Sequence, residues 1–337
     1  MTDQRIKALV IGLGQVGSRF DEDPKRTTIW THVGAYLSRP DDFYLCGAVE
    51  PGSDAVQAFS SRCPDIPVYA CVADTPDTLN PDVVSICTPM HTHLKAVEEI
   101  FARFTPKIIW CEKPLDHDLQ SAKKIVTLCR ERGVKLIVSH VRRWLPLWQR
   151  TRQLMNDGAV GEIVSIRIAL PNRIYSIGSH ALDLLEFLGG HVTSASALEV
   201  PMLREDDEPA VPAMVLFESG AYGIYQVTGF KENLVVEAEV IGSTGRMVID
   251  EQQESLRIEE FRTSDNYASY KRLVERQTSN VAGFSNASPF CNIVDEIDQI
   301  YHGKILRPTC SGEDAYRVQK LIDHVVRINT GANLGED

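Results

Sequence analysis

The stretch that most limits what this chain can fold into is "IKALVIGLGQVGS". An apolar run, Ile6 to Ile11, breaks into Gly12, Gly14 and Gly17, which reads as strand, tight turn and helix start. Glycines at this spacing permit the turn, a close backbone approach to a pyrophosphate, and close helix packing. A glycine-rich turn in some other α/β protein would look the same, so the context has to decide. "FYLCGAVEPGS" supplies a second strand ending in the acidic Glu50, and "DVVSICTP" a later buried strand closed by Pro89. "KIIWCEKPL" adds another strand, "LQSAKKIVTLCRERG" an amphipathic helix and "VKLIVSH" a further strand. Strand and helix thus alternate over the first ~140 residues, which predicts a doubly wound parallel sheet. The polar segment "FDEDPKRTTIW" makes the span from Gly17 to Glu50 longer than the usual ~20 residues. It reads as a surface insertion beside the mouth of the dinucleotide site.

After Arg143 the texture changes. "GEIVSIRIAL", "AMVLFESGAYGIYQVTGF", "LVVEAEVIGSTGRMVIDE" and "SLRIEEF" are short or alternating strands between Gly, Ser and Asp turns, as in a largely antiparallel sheet. Helices are expected around 180 to 188 and 288 to 302, and "SGEDAYRVQKLIDHVVRI" closes as an acid-capped helix. We therefore expect an α/β protein with two domains, 1–141 and 142–337, the second built on an open sheet. Its strands outnumber the helices available to cover them, so one face is left for a subunit contact, giving a homodimer or homotetramer.

Composition narrows the partners. A formal net charge of −11 over 337 residues opposes a broad grip on nucleic acid or an anionic membrane. No apolar run reaches membrane-spanning length, and "MTDQRIK" carries no signal-peptide pattern. The eight cysteines are scattered singly, which is expected of reduced thiols in a cytoplasmic protein. The only close histidine pair, His91 and His93, lacks a nearby third ligand, so no metal site is expected.

Three further features carry chemistry. Glu50 can accept hydrogen bonds from both ribose hydroxyls and would repel a 2′-phosphate, and no basic residue follows at once in "EPGSDAV", which favours NAD over NADP. An acidic residue at a strand end can equally be only solvated. Lys113 in "CEKPL" follows a buried strand at the carboxyl edge of the sheet, where ligands bind and partial desolvation lowers an amine's pKa toward neutrality. In "IYSIGSHALDLLEFLGG", Ala181, Leu184, Leu185 and Leu188 mark a helix stopped by a glycine pair. His180 stands in its first turn with Asp183 one turn on, either as a proton-transfer pair or as part of a helix capped by Ser179.

"GLGQVGS", "CTPMHTH", "CEKPL", "VSHVRRWLP", "GSHALDLLEFLGG", "EVIGSTGRMVID" and "TCSGEDAYRV" together resemble the Gfo/Idh/MocA family, the glucose-fructose oxidoreductase and inositol dehydrogenase group. The resemblance runs nearly end to end and implies a Rossmann domain, a second α/β domain whose open sheet mediates oligomers, and a nicotinamide cofactor acting on a sugar or cyclitol hydroxyl. It implies a cofactor site of Gly12, Gly14, Gln15, Val16, Gly17, Glu50, Thr88, Pro89, His93, Glu112 and Lys113. Lys113 resembles the family's catalytic lysine, His180 its histidine and Asp183 the acid one turn on. Arg143 matches the arginine after the last Rossmann strand and is expected at the substrate.

One position departs from the pattern. Many family members place an aspartate four residues before the histidine, where this chain has Ser176. Serine cannot hold a negative charge against a developing imidazolium, so Ser176 or Tyr175 is expected to complete the hydrogen-bond set. The same segment carries Asn172 and Arg173, and Arg173 could fork a carboxylate or phosphate of a sugar acid, sugar phosphate or nucleotide sugar; a surface arginine is the other reading. The leading function is an NAD-dependent oxidoreductase of a carbohydrate. Two alternatives are an NAD-dependent glycosidase working by transient oxidation and elimination, and a non-catalytic dinucleotide-binding regulatory protein.

Overall fold

Six short runs of β-branched and aliphatic residues build the first sheet: β1 (Ile6–Ile11), β2 (Phe43–Val49), β3 (Val68–Tyr69), β4 (Val83–Ile86), β5 (Ile108–Cys111) and β6 (Lys135–Val138). All pair in parallel, in the order β3-β2-β1-β4-β5-β6, the doubly wound arrangement whose switch point lies between β1 and β4. β4 and β5 are buried along their whole length because helices cover both faces, which is why they read as continuous apolar runs instead of alternating ones. The computed structural model describes residues 5–171, 173–198, 200–203, 208–230, 232–280 and 288–329.

Around this sheet run α1 (His32–Leu37), α2 (Ser53–Arg62), α3 (His93–Arg103) and α4 (Leu119–Glu131). The helix start read after the glycine turn stays short. Gln15–Arg19 makes a single π-turn, with the N–H groups of Ser18 and Arg19 both on the Gly14 carbonyl, and Phe20–Glu22 one 3₁₀ turn. Pro24 is the reason, since the residue before a proline is pushed out of helical conformation, and Asp23 is extended at φ −72°, ψ 113°.

The second half adds α5 (Pro146–Asn156), β7 (Ile163–Leu170), α6 (Ser179–Gly189), β8 (Val192–Ala197), β9 (Ala213–Phe217), β10 (Tyr222–Val227), β11 (Glu237–Gly242), β12 (Gly245–Asp250), β13 (Ser255–Thr263), β14 (Lys271–Asn280), α7 (Pro289–Tyr301) and α8 (Gly312–Asn329). Its eight-stranded sheet runs β14-β13-β12-β11-β7-β10-β9-β8, antiparallel except for the β7–β10 pair. One face packs Ile166, Ile168, Val215, Tyr225, Val240 and Met247 into a core with α6 and the later turns of α8. On the opposite face Met214, Leu216 and Tyr222 stay 52%, 44% and 40% exposed. On the same face, further across the sheet, Arg246 bonds Glu239 and Glu259 at 2.8 and 2.6 Å, and Arg257 bonds Glu259 at 3.1 Å.

The compact units differ from a single cut at 141/142. The first comprises Met1–Trp144 and Asn286–Tyr316, the second Leu145–Ser285 and Arg317–Asp337. The return of the later segment has a plain cause in α7. Its Phe290, Ile293, Val294, Ile297 and Ile300 recur at helical spacing and are buried in the core of the first unit. All eight cysteines are free thiols, and among the described residues no helix is long and apolar enough to cross a membrane.

Candidate active site

In the first unit the carboxyl ends of β1, β2 and β4 open onto a cavity of about 480 Å³, lined among others by Gly12, Gly14, Glu50, Cys71, Thr88 and Thr92. The three glycines are there for different reasons. Gly12 has φ +93°, and a Cβ on it would lie 2.9 Å from the Cys87 carbonyl. A Cβ on Gly17 would lie 2.1 Å from the Gly12 carbonyl oxygen. Gly14 has neither constraint, for its φ is −66° and nothing lies within 4 Å of where its Cβ would be. The protein itself gives no reason for glycine at 14; a phosphate brought against the first turn, where backbone N–H groups are unpaired, does.

Glu50 closes the same cavity. Its Oε2 accepts from the Leu13 N–H and its Oε1 from the Gly52 N–H, both at 2.8 Å, which fixes the carboxylate beside the glycine turn. An ionised carboxylate offers about four acceptor sites, so each oxygen keeps room for a ribose hydroxyl. Gln15 is exposed and Val16 half-buried at the start of the π-turn. These residues fit a dinucleotide.

The turns after β4 and β5 complete this half. Thr88 is half-buried with Thr92 donating to its hydroxyl at 2.9 Å, and Pro89 is exposed. His93 differs from the expectation that it touches a cofactor. It is only 1% exposed, with Nε2 2.8 Å from the Thr88 carbonyl and Nδ1 3.0 Å from the Leu115 carbonyl, so it ties the two turns together from inside. Lys113 is half-buried and its peptide to Pro114 is cis. Glu112 faces inward, where its Oε1 meets His32 Nε2 at 3.0 Å. Burial alone would raise the Glu112 carboxyl, but the hydrogen bond and charge of His32, the hydrogen bond from Ser139 and the charge of Lys113 outweigh it and hold it below the usual carboxylate range. His32 had no signal in the sequence beyond standing at the end of a polar insertion.

Arg143 is not presented as expected. It is buried, donating to the Thr309 carbonyl at 3.1 Å and lying 3.9 Å from the Asp314 carboxylate, so its charge serves the turn before α8.

In the second unit the expected groups cluster on one short segment. Arg173 stands in left-handed conformation (φ 84°, ψ 83°) and opens a π-turn over Ile174–Gly178 that leads straight into α6. Tyr225 beneath it donates to the Pro171 carbonyl at 3.1 Å, and its hydroxyl would sit 2.8 Å from a Cβ on Gly178. α6 is buried all round from Ser179 to Leu188, and His180 and Asp183 share one of its faces, 8% and 0% exposed. The expected Ser179 cap does not occur: the N-cap is Gly178 without a side-chain bond, and the Ser179 hydroxyl turns back to the Ser176 carbonyl at 3.4 Å.

Arg173 is neither a bare anion fork nor a solvated surface side chain. Its Nε lies 3.4 Å from Glu208, whose other oxygen accepts the Tyr175 N–H at 3.0 Å. Glu208 thereby clamps the π-turn that delivers His180, a role no local pattern announces. The Tyr175 phenol is pushed up by burial and by the charges of Asp323 and Glu208, so it stays protonated at neutral pH. Ser176 is half-buried in the same turn, and Asn172 lies outside the described residues.

Residues 6–140 match the family model of the oxidoreductase family with the NAD-binding Rossmann fold. Over this stretch the chain is similar to the Gfo/Idh/MocA oxidoreductases, whose model it matches. The chain is 28% identical over 288 residues to the inositol 2-dehydrogenase of Rhizobium meliloti (strain 1021), covering 77% of this chain and 83% of that one. It is 22% identical over 271 residues to the myo-inositol 2-dehydrogenase of Thermotoga maritima, covering 73% and 75%. In fold it is similar to the WlbA dehydrogenase of Bordetella pertussis, solved in complex with NADH and UDP-GlcNAcA, with a TM-score of 0.77, 19% identity and 100% of both chains covered.

Proposed function

We propose that this chain is a Gfo/Idh/MocA oxidoreductase that binds NAD and oxidises or reduces one hydroxyl-bearing carbon of a sugar derivative or cyclitol. The observation that carries the reading is Gly14, a glycine without an internal reason, beside an anchored Glu50 in a cavity of dinucleotide-binding size. Gly12, Gly14, Gln15, Val16, Gly17 and Glu50 hold the dinucleotide, Thr88 and Pro89 border its nicotinamide end, and His93 and Glu112 support the turns from within. The bound dinucleotide supplies the two-electron acceptor. The chain's own residues handle the proton and charge: His180 takes the hydroxyl proton as general base, Asp183 orients it, and Lys113 stabilises the developing alkoxide. With Ser176 in place of the family's aspartate, the hydroxyl of Ser176 or Tyr175 completes the hydrogen-bond set. Relatives named for inositol and a structural relative holding UDP-GlcNAcA support reading the substrate as a polyol or a nucleotide-sugar acid. Arg173 favours the acid, in which case the substrate's carboxylate competes with Glu208 for it.

NAD is expected to bind more tightly than NADP, because a 2′-phosphate would meet the Glu50 carboxylate. Calorimetric titration of both dinucleotides checks this; Glu50→Ala should narrow the gap, and a native preference for NADP would reverse the assignment. Net accumulation of NADH during turnover separates this reading from elimination through transient oxidation.

The open face of the eight-stranded sheet, with Met214, Leu216 and Tyr222 exposed, is the surface we assign to a homodimer or homotetramer. Sedimentation should give an oligomer that the double substitution Met214→Lys, Leu216→Glu converts to monomer without loss of melting temperature. A native monomer at micromolar concentration contradicts it.

A further inference from the structure

The polar insertion takes no part in the proposed proton transfer, yet it is built as a fixed platform. Asp21 is its hub: Oδ1 accepts from the Trp30 N–H at 2.6 Å and Oδ2 from the Thr31 hydroxyl at 2.5 Å. Thr31 in turn caps α1 by accepting from the Gly34 N–H at 3.0 Å, and the Ser288 hydroxyl at the start of α7 donates to the Ile29 carbonyl at 2.6 Å. The Trp30 indole donates to the Thr28 hydroxyl at 2.8 Å and packs on Phe290 at a centroid distance of 6.0 Å. On this platform the Arg26 guanidinium lies over two rings, 4.5 Å from the centroid of Phe20 and 5.7 Å from that of Trp30.

The carboxylates nearest in sequence to Arg26 are committed elsewhere. Asp21 is bonded as above, Glu22 pairs with Arg62 at 2.9 Å and with Arg19 at 3.6 Å, and Asp23 accepts the Lys25 N–H at 3.0 Å. Among the described residues nothing accepts from the Arg26 side chain, so two rings fix the plane of a guanidinium whose five N–H donors have no protein acceptor. The side chain is exposed, while Phe20 and Trp30 beneath it are half-buried. A planar fork already held in place loses less freedom on binding than a solvated arginine does. The platform also stands beside the turn that carries Lys113. Phe290, which touches Trp30, meets the ring of His32 at 5.4 Å, and His32 Nε2 lies 3.0 Å from Glu112, the residue before Lys113.

We propose that Arg26 is a substrate-recognition residue: its stacked guanidinium forks an oxyanion, phosphate or carboxylate, of the sugar substrate at the carboxyl edge of the first sheet. The inference rests on the reading of the Lys113 turn as the reaction centre, and it narrows the substrate to an anionic sugar derivative. A neutral polyol offers this fork no charge to bind.

The test is calorimetric titration of the full chain, with and without NAD, using glucose 6-phosphate, UDP-glucose, glucuronate and the neutral myo-inositol. At least one of the three anions should bind, and Arg26→Gln should weaken it by about 10- to 100-fold, the worth of one charge-assisted pair. Arg26→Lys, which keeps the charge without the planar fork, should recover only part of that loss. Affinity for NAD and for myo-inositol should be the same in both variants as in the native protein. The phosphate and carboxylate probes tell which oxyanion is taken. The proposal is overturned if none of the anions binds, if Arg26→Gln binds them as the native protein does, or if the loss falls on NAD alone, which would give the guanidinium to the dinucleotide. The two readings fail separately. A protein that does not bind NAD removes the oxidoreductase reading, and the titration without NAD still decides on Arg26; a protein that binds NAD and oxidises a polyol, with Arg26→Gln indifferent to every anion, keeps the oxidoreductase and removes the anion fork.

Discussion

His180→Ala and Lys113→Ala should each slow single-turnover nicotinamide reduction by roughly 10²- to 10⁴-fold, the range that general acid-base groups contribute. Melting temperature and dinucleotide affinity should change little, since neither side chain belongs to the two large apolar cores. Tyr175→Phe and Ser176→Ala give the contrast. Burial and neighbouring carboxylates keep the Tyr175 phenol protonated, which makes it a poor base at neutral pH, so Tyr175→Phe should cost far less than His180→Ala. A Tyr175→Phe variant that is dead beside a normal His180→Ala would make the histidine structural and the tyrosine the acid-base group.

Gly14→Ala and Gly17→Ala should fail in different ways. At Gly17 the new methyl would sit 2.1 Å from a backbone oxygen that cannot swing aside, so the strand-turn-helix junction must move. Overpacking of this kind costs about 1–3 kcal/mol or more and should appear as a lower denaturation midpoint. At Gly14 the methyl enters open space, so stability should hold while NAD affinity falls by roughly 10- to 100-fold, the same steric cost now read in binding. Denaturation and calorimetry on the two variants check both halves. A Gly14→Ala protein that binds NAD normally would mean that no ligand approaches this backbone.

Much of the fold was legible because it is local. Nearly continuous apolar runs such as "VVSI" and "IIWC" are buried on both faces, and alternation in "SLRI" marks a strand with one open face. Edge strands were harder: "VTSASA" and "KRLVERQTSN" are polar because solvent reaches them, and they carry no hydrophobic period. The return of α7 to the first core depends on which of two apolar surfaces fits it, and periodicity does not encode that choice.

The site divides in the same manner. Glycine spacing, Glu50, Lys113 and the His180–Asp183 turn are short-range patterns. Glu208 clamping Arg173 and Tyr175, 33 residues away from the latter, and His32 meeting Glu112 across 80 residues are long-range pairings with no motif of their own. Arg143 and His93 show the converse: a motif position says where a residue stands in the chain, and its burial against the protein is set by the fold.

The most direct test of hydride-transfer chemistry is a single-turnover experiment. Protein loaded with stoichiometric NAD is mixed with each member of a panel of nucleotide sugars, sugar acids and polyols, with calorimetry run in parallel to establish which of them bind. The account predicts that a compound that binds reduces the nicotinamide in amounts approaching one per site, and that Lys113→Ala binds it but reduces far more slowly. Binding of both NAD and a panel compound with no reduced nicotinamide formed would contradict it.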